Sequence, residues 1–191
     1  MRKVVAAEYV TLDGVMTDPG GEGEIEYGGW HNPYFDDDLA KYQFDQLFAS
    51  DALLLGRVTF EGFAAAWPSR EESEDDFAVR MNELPKFVVS TSLREPLPWN
   101  GILLEGDVAD AVAKLKEQPG QDVLIYGSGE LVNSLHQRGL IDEYRLMVFP
   151  VTLGMGKLLF REGRGKHDLK LSSSRTTSTG VALLTYHLAE E

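Results

Sequence analysis

The chain has 191 residues, and 31 Asp plus Glu against 18 Lys plus Arg give a formal charge of −13 at pH 7. Hydrophobic residues make up 43% and charged residues 26%, which is globular composition, and the length suits one domain spanning 1–191 with a real core. The acidic balance argues against binding to nucleic acid or to an anionic membrane surface, and the absence of cysteine excludes disulfides, thiolate metal sites and cysteine nucleophiles. The first residues lack the apolar run of a signal peptide and no later stretch reaches membrane-spanning length, so a cytoplasmic protein is expected.

Val4 to Val10 is β-branched and apolar enough for a buried first strand, and Asp13-Gly14 followed by Pro19-Gly20-Gly21 marks a long mobile loop. A helix is expected from Pro33 to Ser50. Phe35, Leu39, Tyr42 and Leu47 recur at helical spacing, with Asp36, Asp37 and Asp38 in its first turn, where negative charge suits the helix dipole. Ala52 to Gly56 reads as a strand buried on both faces of a parallel sheet, and Thr59 to Ala66 as a short helix. The acidic stretch 69–83, with Glu71, Glu72, Glu74, Asp75 and Asp76, reads as a surface excursion.

Phe87 to Ser90 and Ile102 to Leu104 are further strands, and Asp107 caps a helix whose Val108, Val112 and Leu115 share a face. Asp122 to Tyr126 returns as a strand that Gly127-Ser128-Gly129 turns into a helix. Asp142 to Phe149 alternates as a strand, and 169–177 and 181–188 flank Gly180 as a terminal antiparallel hairpin. The class is therefore α/β, with a mixed, mostly parallel sheet and a C-terminal hairpin.

In such a sheet ligands gather at the carboxyl ends of the strands. Gly127-Ser128-Gly129 combines small residues with a helix start, Gly56-Arg57-Val58-Thr59 adds a second start with a guanidinium and a hydroxyl, and Ser90-Thr91-Ser92 with Arg94 adds hydroxyl donors and a cation. Together they can hold a dinucleotide carrying a 2′-phosphate. The Rossmann fingerprint, the P-loop and the nucleophile elbow are all missing, and His31, His136, His167 and His187 fall at no metal-ligand spacing. Glu8 lies within the first strand, where burial would raise its pKa and make it a proton donor, and Trp30 and Tyr27 can wall a flat ring.

In order, Val10-Thr11-Leu12-Asp13-Gly14, Leu53 to Glu61, Ser90-Thr91-Ser92, Tyr126-Gly127-Ser128-Gly129-Glu130-Leu131 and Pro150 to Lys157 resemble the dihydrofolate-reductase-like superfamily. The nearest resemblance is to the group that includes the C-terminal reductase domain of bacterial riboflavin biosynthesis enzymes. It implies a three-layer fold of about eight strands, NADPH as hydride donor, and a pterin, dihydrofolate or pyrimidine-like ring as acceptor. By that resemblance Gly56, Arg57 and Thr59 line the cofactor phosphates, Ser90, Thr91 and Ser92 lie near the 2′-phosphate, and Gly127, Ser128, Gly129, Glu130 and Leu131 lie under the pyrophosphate. Asp13, Gly14 and Trp30 would meet substrate, and Glu8 and Asp38 would serve catalysis. Ser128 stands where the folate enzymes carry the second glycine of a cis turn, so either Gly127-Ser128 is cis or the turn is rebuilt. A homodimer is also implied, through the strand from Asp142 to Phe149 or the terminal hairpin. A non-catalytic nucleotide-binding or scaffold protein on the same fold is the alternative.

Overall fold

The computed structural model describes residues 1–73, 75–163 and 165–189, with backbone alone at 71–73. Eight strands are described: β1 (Val4–Thr11), β2 (Ser50–Gly56), β3 (Lys86–Val89), β4 (Gly101–Leu104), β5 (Asp122–Tyr126), β6 (Glu143–Phe149), β7 (Leu169–Thr176) and β8 (Ala182–Leu188). They form one sheet in the order β4-β3-β2-β5-β1-β6-β8-β7. The ladders from β4 through β6 are parallel, and β8 joins β6 and β7 antiparallel, as expected.

Among the described residues five α-helices cover its two faces: α1 (Asp37–Phe48), α2 (Arg57–Ala66), α3 (Asp76–Glu83), α4 (Val108–Glu117) and α5 (Gly129–Gln137). Leu39 and Leu47 of α1, Phe60 of α2 and Met81 of α3 pack with Val5, Ala7 and Leu124 on one face. Val112 and Leu115 of α4 and Leu131, Val132 and Leu135 of α5 pack with Val4, Ala6 and Ile125 on the other. This is a three-layer arrangement, with the alternation of β1 feeding both cores.

Two readings are corrected. The helix expected from Pro33 begins later: Asn32–Tyr34 is a single 3-10 turn, Phe35 is extended, and Asp36 caps α1 through the Leu39 amide at 2.9 Å. The acidic excursion contains α3, capped by Asp75 and burying Ala78 and Met81, although the side chains of Glu71 and Glu72 and the whole of Glu74 lie outside the described residues.

The loop after β1 is fastened at several points. Val15 bridges Leu158, and the Met16 and Lys157 amides donate to Lys157 O and Thr17 Oγ1. Asp18 accepts from the amides of Glu22, Gly23, Glu24 and Ile25. No described helix is long and apolar enough to cross a membrane.

Candidate active site

The strand order places a reversal between neighbours β2 and β5. From β2 the chain leaves through α2 on one face toward β3, and from β5 it leaves through α5 on the other face, passing β1 to reach β6. At such a switch point the helix starts diverge and leave a crevice above the strand ends. The ladders part there too. β2 and β5 pair only as far as Leu53–Leu124, and β1 and β5 only as far as Ala7–Tyr126, whereas β1 stays on β6 to Thr11–Phe149.

The two helix starts at this crevice differ from the others described. α1, α3 and α4 are capped by the carboxylates of Asp36, Asp75 and Asp107. α2 and α5 start at Gly56 and Ser128 with no side-chain cap. An uncapped start leaves amide donors and the positive dipole end available to an anion.

The starts are latched to each other across the gap between β2 and β5. The Gly56 amide donates to Ser128 Oγ at 3.0 Å, and the Ser128 amide donates to Thr59 Oγ1 at 3.0 Å. To reach this geometry Gly127 and Ser128 both adopt positive φ, +58° and +60°. The second is strained for a residue with a Cβ and marks a turn held by its surroundings. The turn is thus rebuilt: the cis peptide bond among the described residues is Glu95–Pro96. The Met16 side chain lies against Gly129, where a Cβ would sit 2.5 Å from its sulfur.

Glu8 is the first residue of β1 beyond its last pair with β5, and it is 1% exposed. Its carboxyl accepts from the Gly127 amide, and Oε1 has no partner. Burial raises its pKa well above the carboxylate range, against the smaller opposing effect of the Gly127 bond, so the group holds its proton more firmly than an exposed acid. By strand alternation Glu8 points to the α5 side, while Trp30 packs with Phe149 on the α1 side.

The structure therefore brings together Glu8, Gly56, Thr59, Gly127, Ser128 and Gly129 at one crevice, with Arg57, Glu130 and Leu131 in the first turns of the two helices. Arg57 is exposed and pairs with Glu61 at 2.8 Å, and Glu130 pairs with Arg161. Ser90 follows β3 directly, its hydroxyl accepting from the Ser92 and Leu93 amides, and Thr91 and Ser92 are exposed.

The remaining predicted residues are engaged elsewhere. Asp13 is exposed, and its carboxylate takes the Leu153 and Gly154 amides and the Thr11 hydroxyl. The Gly14 carbonyl accepts from Leu159, and the Trp30 indole donates to Thr17 O at 2.7 Å. Asp38 is exposed and accepts from the Ser178 amide at 3.1 Å, beside Asp36, which takes the Ser178 and Thr179 hydroxyls. These bonds fasten loops and the β7–β8 turn. Sequence reasoning missed the tyrosine and glutamine side chains between α1 and the sheet, because Gln43 and Gln46 look like surface residues of an amphipathic helix.

A switch-point crevice between two uncapped helix starts, on an eight-stranded mixed sheet, defines a dihydrofolate-reductase-like fold. The chain belongs to the RibD C-terminal domain family, whose model matches residues 2–183. It is 31% identical over 188 residues to the uncharacterized protein YyaP of Bacillus subtilis, covering 97% of this chain and 95% of that one. Among solved structures it is similar to a putative riboflavin biosynthesis protein from Shewanella sp. PV-4, with TM-score 0.71, 23% identity and 100% of both chains covered. It is also similar to dihydrofolate reductase from Enterococcus faecalis complexed with NADP(H), with TM-score 0.63, 16% identity, and 98% and 97% of the two chains covered.

Proposed function

We propose that this protein is an NADPH-dependent reductase that delivers a hydride to a planar heterocycle of pterin, dihydrofolate or pyrimidine kind. The observation that carries the reading is the pair of uncapped helix starts, α2 and α5, converging from opposite faces on one crevice and latched through Ser128. Membership of a reductase-type family supports it.

The residues present fit the cofactor. Amides at the starts of α2 and α5 would meet the pyrophosphate from both sides, with Arg57 adding charge and with Gly56, Gly127 and Gly129 allowing close approach. Thr91 and Ser92, at the end of β3 two strands from β5, would lie toward the 2′-phosphate. Bound NADPH supplies the hydride. The chain's part is to orient ring against ring and to exclude water, and Glu8, its pKa raised by burial, lies beside the Gly127 turn.

The assembly that goes with this reading is a homodimer. β7 is an edge strand of eight residues, nearly all exposed, with one side of its backbone open to a second copy.

The test is a titration with NADPH and NADH followed by nicotinamide fluorescence. Saturable binding that favours NADPH is expected, and Arg57→Ala should weaken it about tenfold at low salt and less at high salt. An unchanged dissociation constant in that variant would remove Arg57 from the pose. Binding without oxidation across a panel of pterins, pyrimidines and quinones would favour the non-catalytic binding protein.

A further inference from the structure

Asn100 is the one asparagine of this chain that precedes a glycine; Asn32, Asn82 and Asn133 precede proline, glutamate and serine. An Asn-Gly pair is chemically labile, because a following residue without Cβ lets its backbone nitrogen reach the side-chain amide carbon. The packing explains why the pair stands here. A Cβ on Gly101 would lie 2.7 Å from Phe60 Cζ and 2.8 Å from Leu97 Cβ, so the fit of α2 against the start of β4 selects glycine. Asn100 has φ +53°, a conformation that asparagine tolerates better than most residues, and its carbonyl takes the Lys86 amide where β3 and β4 begin to pair.

Asn100 is exposed, so water reaches it, yet both reacting groups are tied down. The nucleophile, the Gly101 nitrogen, donates to Pro98 O at 2.9 Å, and the leaving group, Asn100 Nδ2, donates to Asn82 O at 2.9 Å and Glu83 O at 3.4 Å. The turn that carries them is anchored as well. Trp99, at φ +52°, donates its indole N–H to Asn82 Oδ1 at 2.6 Å, and the Glu95 carboxylate takes the Leu97 and Leu103 amides. A bulky residue at positive φ is held there by such contacts, so the turn relaxes once they open.

We propose that Asn100 is a modification site, deamidating spontaneously under the control of the turn between β3 and β4. When the turn opens, the Gly101 nitrogen gives its proton to hydroxide and attacks Asn100 Cγ. The new N–C bond closes a succinimide ring as the Cγ–Nδ2 bond breaks, and the amide nitrogen leaves as ammonia with a proton from water. Water then adds to either ring carbonyl and leaves an aspartyl or an isoaspartyl linkage; nothing is oxidised or reduced. Either product sets a carboxylate where the carbonyl oxygens of Asn82 and Glu83 had met a donor. The isoaspartyl linkage also lengthens the main chain by one carbon beside Gly101, which is pinned by Phe60 and Leu97. The modified turn therefore recloses poorly and loosens the edge strand β4, so the modified fraction records how often this edge has opened.

The experiment ages the protein in mildly alkaline buffer in three states: folded, in urea below its unfolding midpoint, and unfolded. Trypsin releases a peptide from Glu95 to Lys114, and chromatography with mass spectrometry separates its asparaginyl, aspartyl and isoaspartyl forms. Deamidation at Asn100 is expected to be about tenfold or more slower in the folded chain than in the unfolded one, and to quicken in sub-denaturing urea. Trp99→Phe, which loses the bond to Asn82, should quicken it severalfold in the folded protein without urea. Equal rates in folded and unfolded chains overturn the control by the turn, as does a folded rate unmoved by Trp99→Phe. An unfolded chain that does not deamidate at Asn100 overturns the site. If Trp99→Phe does not fold, the urea series decides: a rate that rises with urea upholds the proposal and a flat one overturns it. The isoaspartyl form, separated and refolded, should melt below the unmodified chain, and an equal melting temperature overturns the loosening of β4.

Discussion

Ser128 Oγ accepts from the Gly56 amide at 3.0 Å while the Ser128 amide donates to Thr59 Oγ1, so one side chain in a left-handed conformation ties together two helix starts from opposite faces of the sheet. The β2–β5 ladder has already ended at Leu53–Leu124, and this latch spans the gap beyond it. Two effects of similar size oppose each other at this position, and they can be separated. Ser128→Ala loses the Gly56 bond but keeps the strain, and should cost ~1–2 kcal/mol. Ser128→Gly loses the same bond and relieves ~1 kcal/mol or more of left-handed strain, so it should be the more stable of the two. Both should weaken NADPH binding alike, because both free the crevice walls. Chemical denaturation with an NADPH titration checks this, and a glycine variant less stable than the alanine variant would refute it.

Glu8 gives a pH dependence with a definite sign. Its folded pKa lies well above the unfolded value because burial penalises the charge. Between those values the folded chain holds a proton that the unfolded chain has released, so stability falls as pH rises through that window. Glu8→Gln removes the titration and keeps the shape. The variant should be more stable than the wild type at neutral pH, and the advantage should vanish toward the unfolded carboxyl pKa. Scanning calorimetry across pH decides it: an advantage that does not change with pH would show that Glu8 titrates as an ordinary carboxyl. If Glu8 also serves the reaction, turnover should fall more than NADPH affinity.

Much of this arrangement was legible in the chain, for physical reasons that also mark where legibility stopped. Apolar runs such as Val4–Val10 and Ala52–Leu55 read as central strands and are, and Asp107 caps a helix as its position suggested, whereas Asp36, expected inside a first turn, is the cap of α1. α3 was hidden because the charge of Asp75 and Asp76 masks the short Ala78–Met81 face. Asp13 and Asp38 were read as ligand-facing, yet a carboxylate in a loop or first turn looks the same whether it waits for substrate or collects backbone amides, and these two collect the amides of Gly154 and Ser178. The contact between Gln46 of α1 and Tyr126 of β5 was illegible because the two come together only when α1 is laid across the sheet.

Lys86 opposes Glu8 in sign. It is fully buried at the start of β3, donates to Asn82 O at 2.8 Å and sits 4.0 Å from the centre of a Trp99 ring. Burial lowers its pKa from 10.5 to about 8. Below the folded value both states are protonated and the cost is constant. Between about 8 and 10.5 the unfolded chain binds the extra proton, so stability contributed at this site rises with pH. Lys86→Met should flatten that rise, so that the variant compares best with the wild type below pH 8 and loses ground above it. Urea denaturation at a series of alkaline pH values measures the slope, and parallel curves for the two proteins would rule out the shift.

Two glycines make opposite predictions for the same substitution. Gly156 has φ +103°, and a Cβ there would stand 2.7 Å from Val15 Cγ1 and 3.1 Å from Thr17 Oγ1, on the segment that fastens the loop after β1. Gly156→Ala must therefore strain the backbone and push the loop, and should cost upward of ~1 kcal/mol. Gly62 lies inside α2 on its exposed side, with nothing within 4 Å of an added Cβ. Gly62→Ala gains helix propensity without a clash and should stabilise the protein by up to ~1 kcal/mol. Because α2 supplies one wall of the crevice, the firmer helix should leave NADPH affinity intact, whereas displacing Val15 and Thr17 shifts the neighbouring Met16 against Gly129 and should alter it. Thermal melts and NADPH titrations of the pair distinguish the two effects, and a Gly156→Ala protein as stable as the wild type would mean that the loop is not fastened as described.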